Sequence, residues 1–261
     1  MNLAVRQTGA LAWRSVRTTL RIPQSWFPSL FFPLALLAIF TGSFSDAPGR
    51  VAGFPPVRGF LDFAVAGSIL QGVLIAGTGA GAAFAADMES GFFDRLVASP
   101  VSRWAILTGR LGASVAQGVV QSLLFLGIAI AFGVRLEGGA GGLLVVALFA
   151  ALLAAAIGGL GVILALRTGS GEAVQGTFPL FFVLLFFSSA FFPRETMSGW
   201  YKAVADVNPI SYIVEGMRAR IIDSGDAATT FVGLAWALGF AIVSVAISAM
   251  AYRRRLATEG A

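Results

Sequence analysis

Six apolar runs, each about twenty residues or longer, occupy most of this 261-residue chain: roughly 25 to 44, 60 to 86, 105 to 133, 141 to 166, 173 to 193 and 228 to 251. A helix needs about 20 mainly apolar residues to cross a hydrocarbon core of ~30 Å. Inside lipid its backbone must also satisfy its own hydrogen bonds. The runs therefore predict an all-α integral membrane protein with six transmembrane helices in one domain, residues 1 to 261. Charge agrees, since 12% of residues are charged against about 25% in soluble domains. Pro28 and Pro33 fall inside the first run and should kink it. That run is not expected to be a cleaved signal peptide, because a polar-interrupted stretch precedes it and no clean small-x-small site follows.

Arg and Lys near span ends are retained on the cytoplasmic side. With six spans both termini share a side, and that side carries 11 of the cations against 7 on the other. Both termini, and the polar stretch between the second and third runs, are thus predicted to be cytoplasmic.

Several chemistries are excluded by residue type. Cysteine and histidine are absent, which removes disulfides, thiolate nucleophiles, imidazole bases and the usual zinc ligands. No metal site, cofactor or catalytic residue is expected in this chain. The only lysine, Lys202, follows Trp200 and Tyr201, so no Gly-Lys-Ser/Thr phosphate loop exists. The net charge of +5 does not predict nucleic-acid binding, because most cations sit at the ends of apolar runs. Gly77-Thr78-Gly79-Ala80-Gly81-Ala82 fits a dinucleotide fingerprint but lies late in an apolar run. Small residues there, with Gly67 and Gly72, read instead as close helix packing. A proton-coupled transporter would bury a carboxylate at mid-depth, whereas Asp62 and Glu172 lie at run ends.

Three shorter features remain. Over residues 3 to 22 a helical wheel puts Val5, Ala12, Trp13, Val16 and Leu20 on one arc and Arg6, Arg14, Arg17 and Arg21 on the next. That predicts an interfacial helix with its arginines among headgroups, or an ordinary basic juxtamembrane tail. Within residues 194 to 226, Trp200, Val204 and Val207 share a helical face. Asn208 and Pro209 then give an N-cap and first-position proline to a helix on which Glu215 and Arg218 are spaced to pair. Short helices dipping into the outer leaflet fit, as does a solvated cap. In the fifth run Phe178, Phe182 and Phe186 recur at helical spacing, either as an aromatic wall for substrate or as lipid and packing contacts.

The cytoplasmic stretch DMESGFFDRLVASPVSRW, residues 87 to 104, predicts a short helix between Glu89 and Ser99 with Phe92, Phe93, Leu96 and Val97 on one face. Pro100 stops it, and Ser102 is placed to cap the next helix. So short a helix is marginal alone, so its Phe-Phe face is expected either to dock a partner or to rest on the bilayer.

ESGFFDRLVASPVSRWAILTGR, residues 89 to 110, resembles the cytoplasmic signature of the type-two ABC exporter permeases, in particular those similar to daunorubicin-resistance permeases. FFPRETMSGWYKAVADVNPISYIVEGMRARI, residues 191 to 221, is similar to the same family's outer segment. The resemblance implies a non-catalytic permease of a bacterial plasma membrane that pairs with a second permease, most simply its own copy. It also implies two separate ATPase subunits, which would carry the ATP and Mg. Glu89, Ser90, Gly91, Phe92, Phe93, Asp94, Arg95, Leu96 and Val97 would form the ATPase-coupling helix. Trp13, Arg14, Arg17 and Arg21 would lie on the bracing interfacial helix, and Asn208, Pro209, Glu215 and Arg218 on an outer lid. Few charged groups in the spans favour a hydrophobic or amphipathic cargo, such as a drug or secondary metabolite. Export of a lipid-linked glycan is the family alternative; a self-sufficient secondary transporter or channel is the alternative from another class.

Overall fold

The computed structural model describes residues 3–21, 23–222 and 226–259. Ile22 and Asp223, which belong to the expected entry helix and outer segment, lie outside the described residues, as does the side chain of Leu20. The described residues form α1 (Leu3–Arg21), α2 (Pro23–Ser43), α3 (Ala47–Arg50), α4 (Phe60–Glu89), α5 (Phe92–Ala98), α6 (Arg103–Ala131), α7 (Gly139–Thr168), α8 (Gly171–Gln175), α9 (Phe178–Phe186), a 3-10 turn at Arg194–Thr196, α10 (Gly199–Val207), α11 (Pro209–Ile222) and α12 (Ala227–Glu259). Five of these, α2, α4, α6, α7 and α12, are long and apolar enough to cross a membrane. The all-helical class and five of the six apolar runs match the sequence expectation to within a few residues, except that α12 continues through Arg253, Arg254 and Arg255.

The fifth run is different. A single helix over 173 to 193 is not what forms: α8 and α9 are separated by a turn at Gly176 and Thr177, and the chain leaves helical geometry again after Phe186. Pro179 sits in the first turn of α9, where its missing N–H costs nothing but cannot extend a helix arriving from α8. The segment still runs alongside α4 over half its length. Gly171 lies against Ala82 of α4 and Ala190 lies against Gly67, a separation of fifteen residues along α4, or about 22 Å of helix.

α4 is the centre of the bundle. It is buried on nearly every face, as a helix apolar all round should be, and it packs against α2, α6, α7, α8, α9 and α11. The Gly-rich motif is helix, with no strand before it. A Cβ on Gly81 would meet the Gly161 backbone of α7 within 3 Å, and one on Gly77 would meet Ile157. Gly67 and Gly72 are likewise pressed, against Ala190 and Phe125. The packing role expected of these glycines holds at all four, but not at Gly79, which has open space beside it.

Tight α4–α7 contact thus depends on hydrogen-sized side chains. Gly161→Val should lower the melting temperature of detergent-purified protein by several degrees, whereas Gly79→Val, facing open space, should leave it unchanged. Equal behaviour of the two variants would contradict this packing.

Candidate functional site: a lateral cavity and the junction at its end

A cavity of about 900 Å³ opens between α2, α4, α8 and α9. Its walls are mainly apolar, with Phe32 from α2, Ile75 and Ala82 from α4, and Phe178 from α9. Glu89, Ser170, Glu172 and Gln175 line it at the end where α4 runs out. Of the expected aromatic wall, only Phe178 reaches the cavity. Phe182 and Phe186 continue the row by ring contacts of 5.4 and 4.8 Å, then Phe191 at 5.0 Å, with Phe32 touching Phe182 at 5.7 Å. The row therefore runs mainly along α9 and the turn after it, touching α2 through Phe32, with Phe178 at the cavity and Phe186 exposed. Gly79 and Thr78 also line the cavity, which explains the open space beside Gly79.

At the same end lies the expected coupling segment, shorter than anticipated. Glu89 ends α4, Ser90 caps it, and Gly91 adopts φ +65°, the left-handed geometry that glycine tolerates. Only Phe92–Ala98 is helical. Pro100 ends it as expected. Ser102 occupies the N-cap position of α6 without a side-chain cap; its own N–H donates to Gln7 Oε1 of α1 at 3.1 Å.

The Phe-Phe pair does not present one docking face. Phe93 is 1% exposed and packs edge-on against Phe84 and Tyr252. Phe92 lies beneath the Arg14 guanidinium, 3.8 Å from its ring centroid. The outward side chains of this segment are Glu89, Ser90, Asp94, Arg95 and Ala98, with Leu96 and Val97 half-buried. The reason is local: α5 is pinned over the ends of α4, α6 and α12, and burying an aromatic ring there outweighs leaving it in water.

One carboxylate organises this junction. Asp87 accepts from Arg110 Nη2 of α6 and lies 3.7 Å from Arg14 of α1. Arg110 also donates to the Ala83 carbonyl at 2.9 Å. Glu89 Oε1 accepts from the Gly171 N–H at 2.9 Å, tying the last turn of α4 to the first of α8. Arg14 is thus held against Asp87 and Phe92 although its side chain remains 42% exposed, while Arg17, Arg21 and Trp13 are exposed and, among the described residues, free of such contacts with α4 and α5. α1 rests on α6 through Leu11, whose Cβ comes within 2.8 Å of where a Cβ on Gly109 would stand. Asp87, Arg110 and Leu11 were not singled out in the sequence; the clustering of cations at run ends was the only trace of the ion pair.

The opposite end of the bundle is built by backbone repair. Asn208 Oδ1 accepts from the Ile210 N–H at 2.9 Å, the expected N-cap of α11. Its Nδ2 meanwhile donates to the Leu184 and Phe187 carbonyls at 2.7 and 2.8 Å, left open where α9 ends. Pro209 opens α11 as expected. The expected Glu215–Arg218 pair does not form. Glu215 takes both Arg194 Nε and Nη2, a fork-on-fork geometry that Arg218, on the same helix, does not compete for. Burial opposes the Arg194 charge, but the bonds to Glu215 and contact with Tyr212 outweigh it and raise its pKa. Arg218 is buried, stacks 3.6 Å over Phe63, and donates to the Phe63, Ser189 and Ala190 carbonyls at 2.8 to 3.0 Å. α11 is buried around most of its circumference, so it is not a solvated cap, whereas Trp200, Val204 and Val207 of α10 are exposed.

The ABC-2 type transporter family model matches residues 6–222. The chain belongs to that family. It is 29% identical over 253 residues to a daunorubicin resistance ABC transporter permease protein, DrrB1, of Streptomyces coeruleorubidus, covering 93% of this chain and 83% of the relative. A probable doxorubicin resistance ABC transporter permease protein, DrrC, of Mycobacterium tuberculosis is 28% identical over 165 residues, 63% of this chain and 59% of the relative. A putative transport permease, ycf38, of Porphyra purpurea is 26% identical over 216 residues, 82% of this chain and 73% of the relative. The resemblance read from residues 89 to 110 and 191 to 221 is thereby borne out, and the chain is a multi-pass membrane protein.

Removing one partner of a buried ion pair typically costs about 3–5 kcal/mol, because the other charge is left uncompensated. Asp87→Ala should accordingly cost a large fraction of that and lower the melting temperature sharply. Adding Arg110→Met to Asp87→Ala should recover much of the loss, and a double variant as unstable as the single one would contradict the assignment.

Proposed function

We propose that this chain is the permease subunit of an ATP-powered exporter, moving a hydrophobic or amphipathic compound such as a drug or secondary metabolite out of a bacterial cell. The observation that carries the proposal is the double position of Glu89. It lines the apolar cavity and bonds α8, yet it lies at the head of the segment that leads into α5. A push on α5 therefore has a short path to the cavity wall. The relatives' names point to drug cargo of the anthracycline kind, which a cavity with aromatic and aliphatic walls suits.

In this reading the engine is elsewhere. With Lys202 as its only lysine and no phosphate loop, the chain draws work from two ATPase subunits, which hold ATP and Mg. They dock on α5 and are braced by α1. A second copy of the chain completes the conduit, and membrane lipid surrounds both. ATP-driven closure of the ATPase pair presses the α5 helices together and switches the bundle between inward-open and outward-open arrangements.

The proposed topology has six crossings, with both termini and α5 cytoplasmic and α10 and α11 forming the outer re-entrant lid. Support for the sixth crossing comes from the path of residues 171 to 190, which parallels α4 between Ala82 and Gly67 despite its breaks. α1 then lies along the inner leaflet with Trp13 outward.

Because Phe93 belongs to the core, the docking test falls on the exposed side chains. Co-purification with the cognate ATPase should be lost in Asp94→Arg combined with Arg95→Glu, at unchanged melting temperature. Phe93→Asp should instead destabilise the permease itself. Retained ATPase binding by the charge-reversed variant would count against docking on α5.

A further inference from the structure

Seven polar or charged side chains of α4 and its neighbour α6 are buried, and six of them have hydrogen-bond partners, among them Arg110 with Asp87, Ser114 with the Ala154 carbonyl and Ser122 with the Val119 carbonyl. Ser68 and Thr78 donate back to carbonyls of their own helix. Gln121 of α6 donates to the Ser29 carbonyl, whose normal helical donor would be the N–H of residue 33, a proline. Gln71 is the exception. It is 1% exposed, and neither its Nε2 nor its Oε1 has a hydrogen-bond partner among the described residues. A buried amide without partners is costly, and an aliphatic side chain of similar volume would cost nothing there.

Its position along α4 gives the missing amide a purpose. Ile75, Thr78, Gly79, Ala82, Ala83 and Ala86 line the cavity, a stripe at three- and four-residue spacing. One more step of four from Ile75 is Gln71, which places it on the same face about 6 Å of helix beyond the end of the cavity at Ile75. The adjoining faces are taken. Gly72 presses on Gln121 and Phe125, and Gly77 on Ile157, while on the stripe itself Gly67 meets Ala190 one turn past Gln71. The stripe that leads from the cavity is therefore the one on which Gln71 stands.

We propose that Gln71 is the hydrogen-bonding subsite of the transport path, taking a hydroxyl or carbonyl group of the amphipathic cargo as it moves past the end of the cavity. The amide offers both a donor and an acceptor, so it suits an oxygenated polycyclic compound and discriminates against a pure hydrocarbon amphipath. A site that holds an unpaired polar group rejects an analogue unable to pair with it. This assignment rests on the cavity being the cargo path.

The test uses the chain assembled with its ATPase in nanodiscs and daunorubicin as the probe, with affinity read from drug fluorescence and stability from thermal melting. Gln71→Leu should weaken daunorubicin binding about tenfold, the worth of one hydrogen bond, with the melting temperature unchanged or raised. Gln121→Leu should do the reverse, lowering the melting temperature. If Gln71→Leu melts early, the less bulky-branched Gln71→Met decides the matter by the same affinity criterion. Unchanged affinity in the Gln71 variants would overturn the subsite and leave the cavity reading intact. Failure of the wild-type assembly to bind the drug would overturn the cavity as a drug path, and the subsite with it.

Discussion

Hydrocarbon offers no hydrogen bonds, so every break in a lipid-embedded helix leaves backbone groups that the protein itself must satisfy. This chain breaks its helices repeatedly, and several of the breaks are met by a side chain from elsewhere. Pro33 deprives the Ser29 carbonyl of its donor, and Gln121 supplies one. α9 ends after nine residues, and Asn208 reaches back to the Leu184 and Phe187 carbonyls. The turn that follows exposes the Ser189 and Ala190 carbonyls, and Arg218 takes both. Tyr201 donates to the Phe186 carbonyl. α10 and α11 thus supply the bonds that let the broken segment before them exist inside the bundle.

The same logic connects structure to transport. A straight, self-satisfied helix in place of 171–193 would pack along α4 and close the space that α8 and α9 leave open. The cavity opens beside these breaks, and the ion cluster around Asp87 ties α1, α4 and α6 together near one end of it. A segment held by side-chain bonds rather than by its own ladder can also shift as a unit when those bonds exchange, as the proposed alternation between two arrangements requires.

Much of this was legible in the sequence because it depends on composition and period. Five apolar runs became five long helices, and the glycines of α4 became its contacts with α6, α7 and the 190 turn. Asn208-Pro209 opened a helix, and Pro100 closed one. The unreadable parts were choices between partners. Glu215 stands three residues from Arg218, but the better geometry of Arg194, twenty-one residues upstream, won it. Phe92 and Phe93 are adjacent, but a helix sends adjacent residues about 100° apart, so one became core and the other a platform for Arg14. The fifth run is apolar enough to cross, and nothing in its hydropathy announced that Gly176 and Pro179 would divide it. Gln71 gave no signal at all, since its meaning lies in the partners it lacks.

The central claim is that residues 171 to 193 cross the bilayer as a broken helix, held by the outer helices. The chain's lack of cysteine makes single-cysteine labelling of intact cells the direct measurement. With Ser170→Cys and Thr196→Cys variants, a membrane-impermeant maleimide added outside should label residue 196 and spare residue 170 until the membrane is permeabilised. Labelling of both positions from the outside, or of neither, would contradict the crossing.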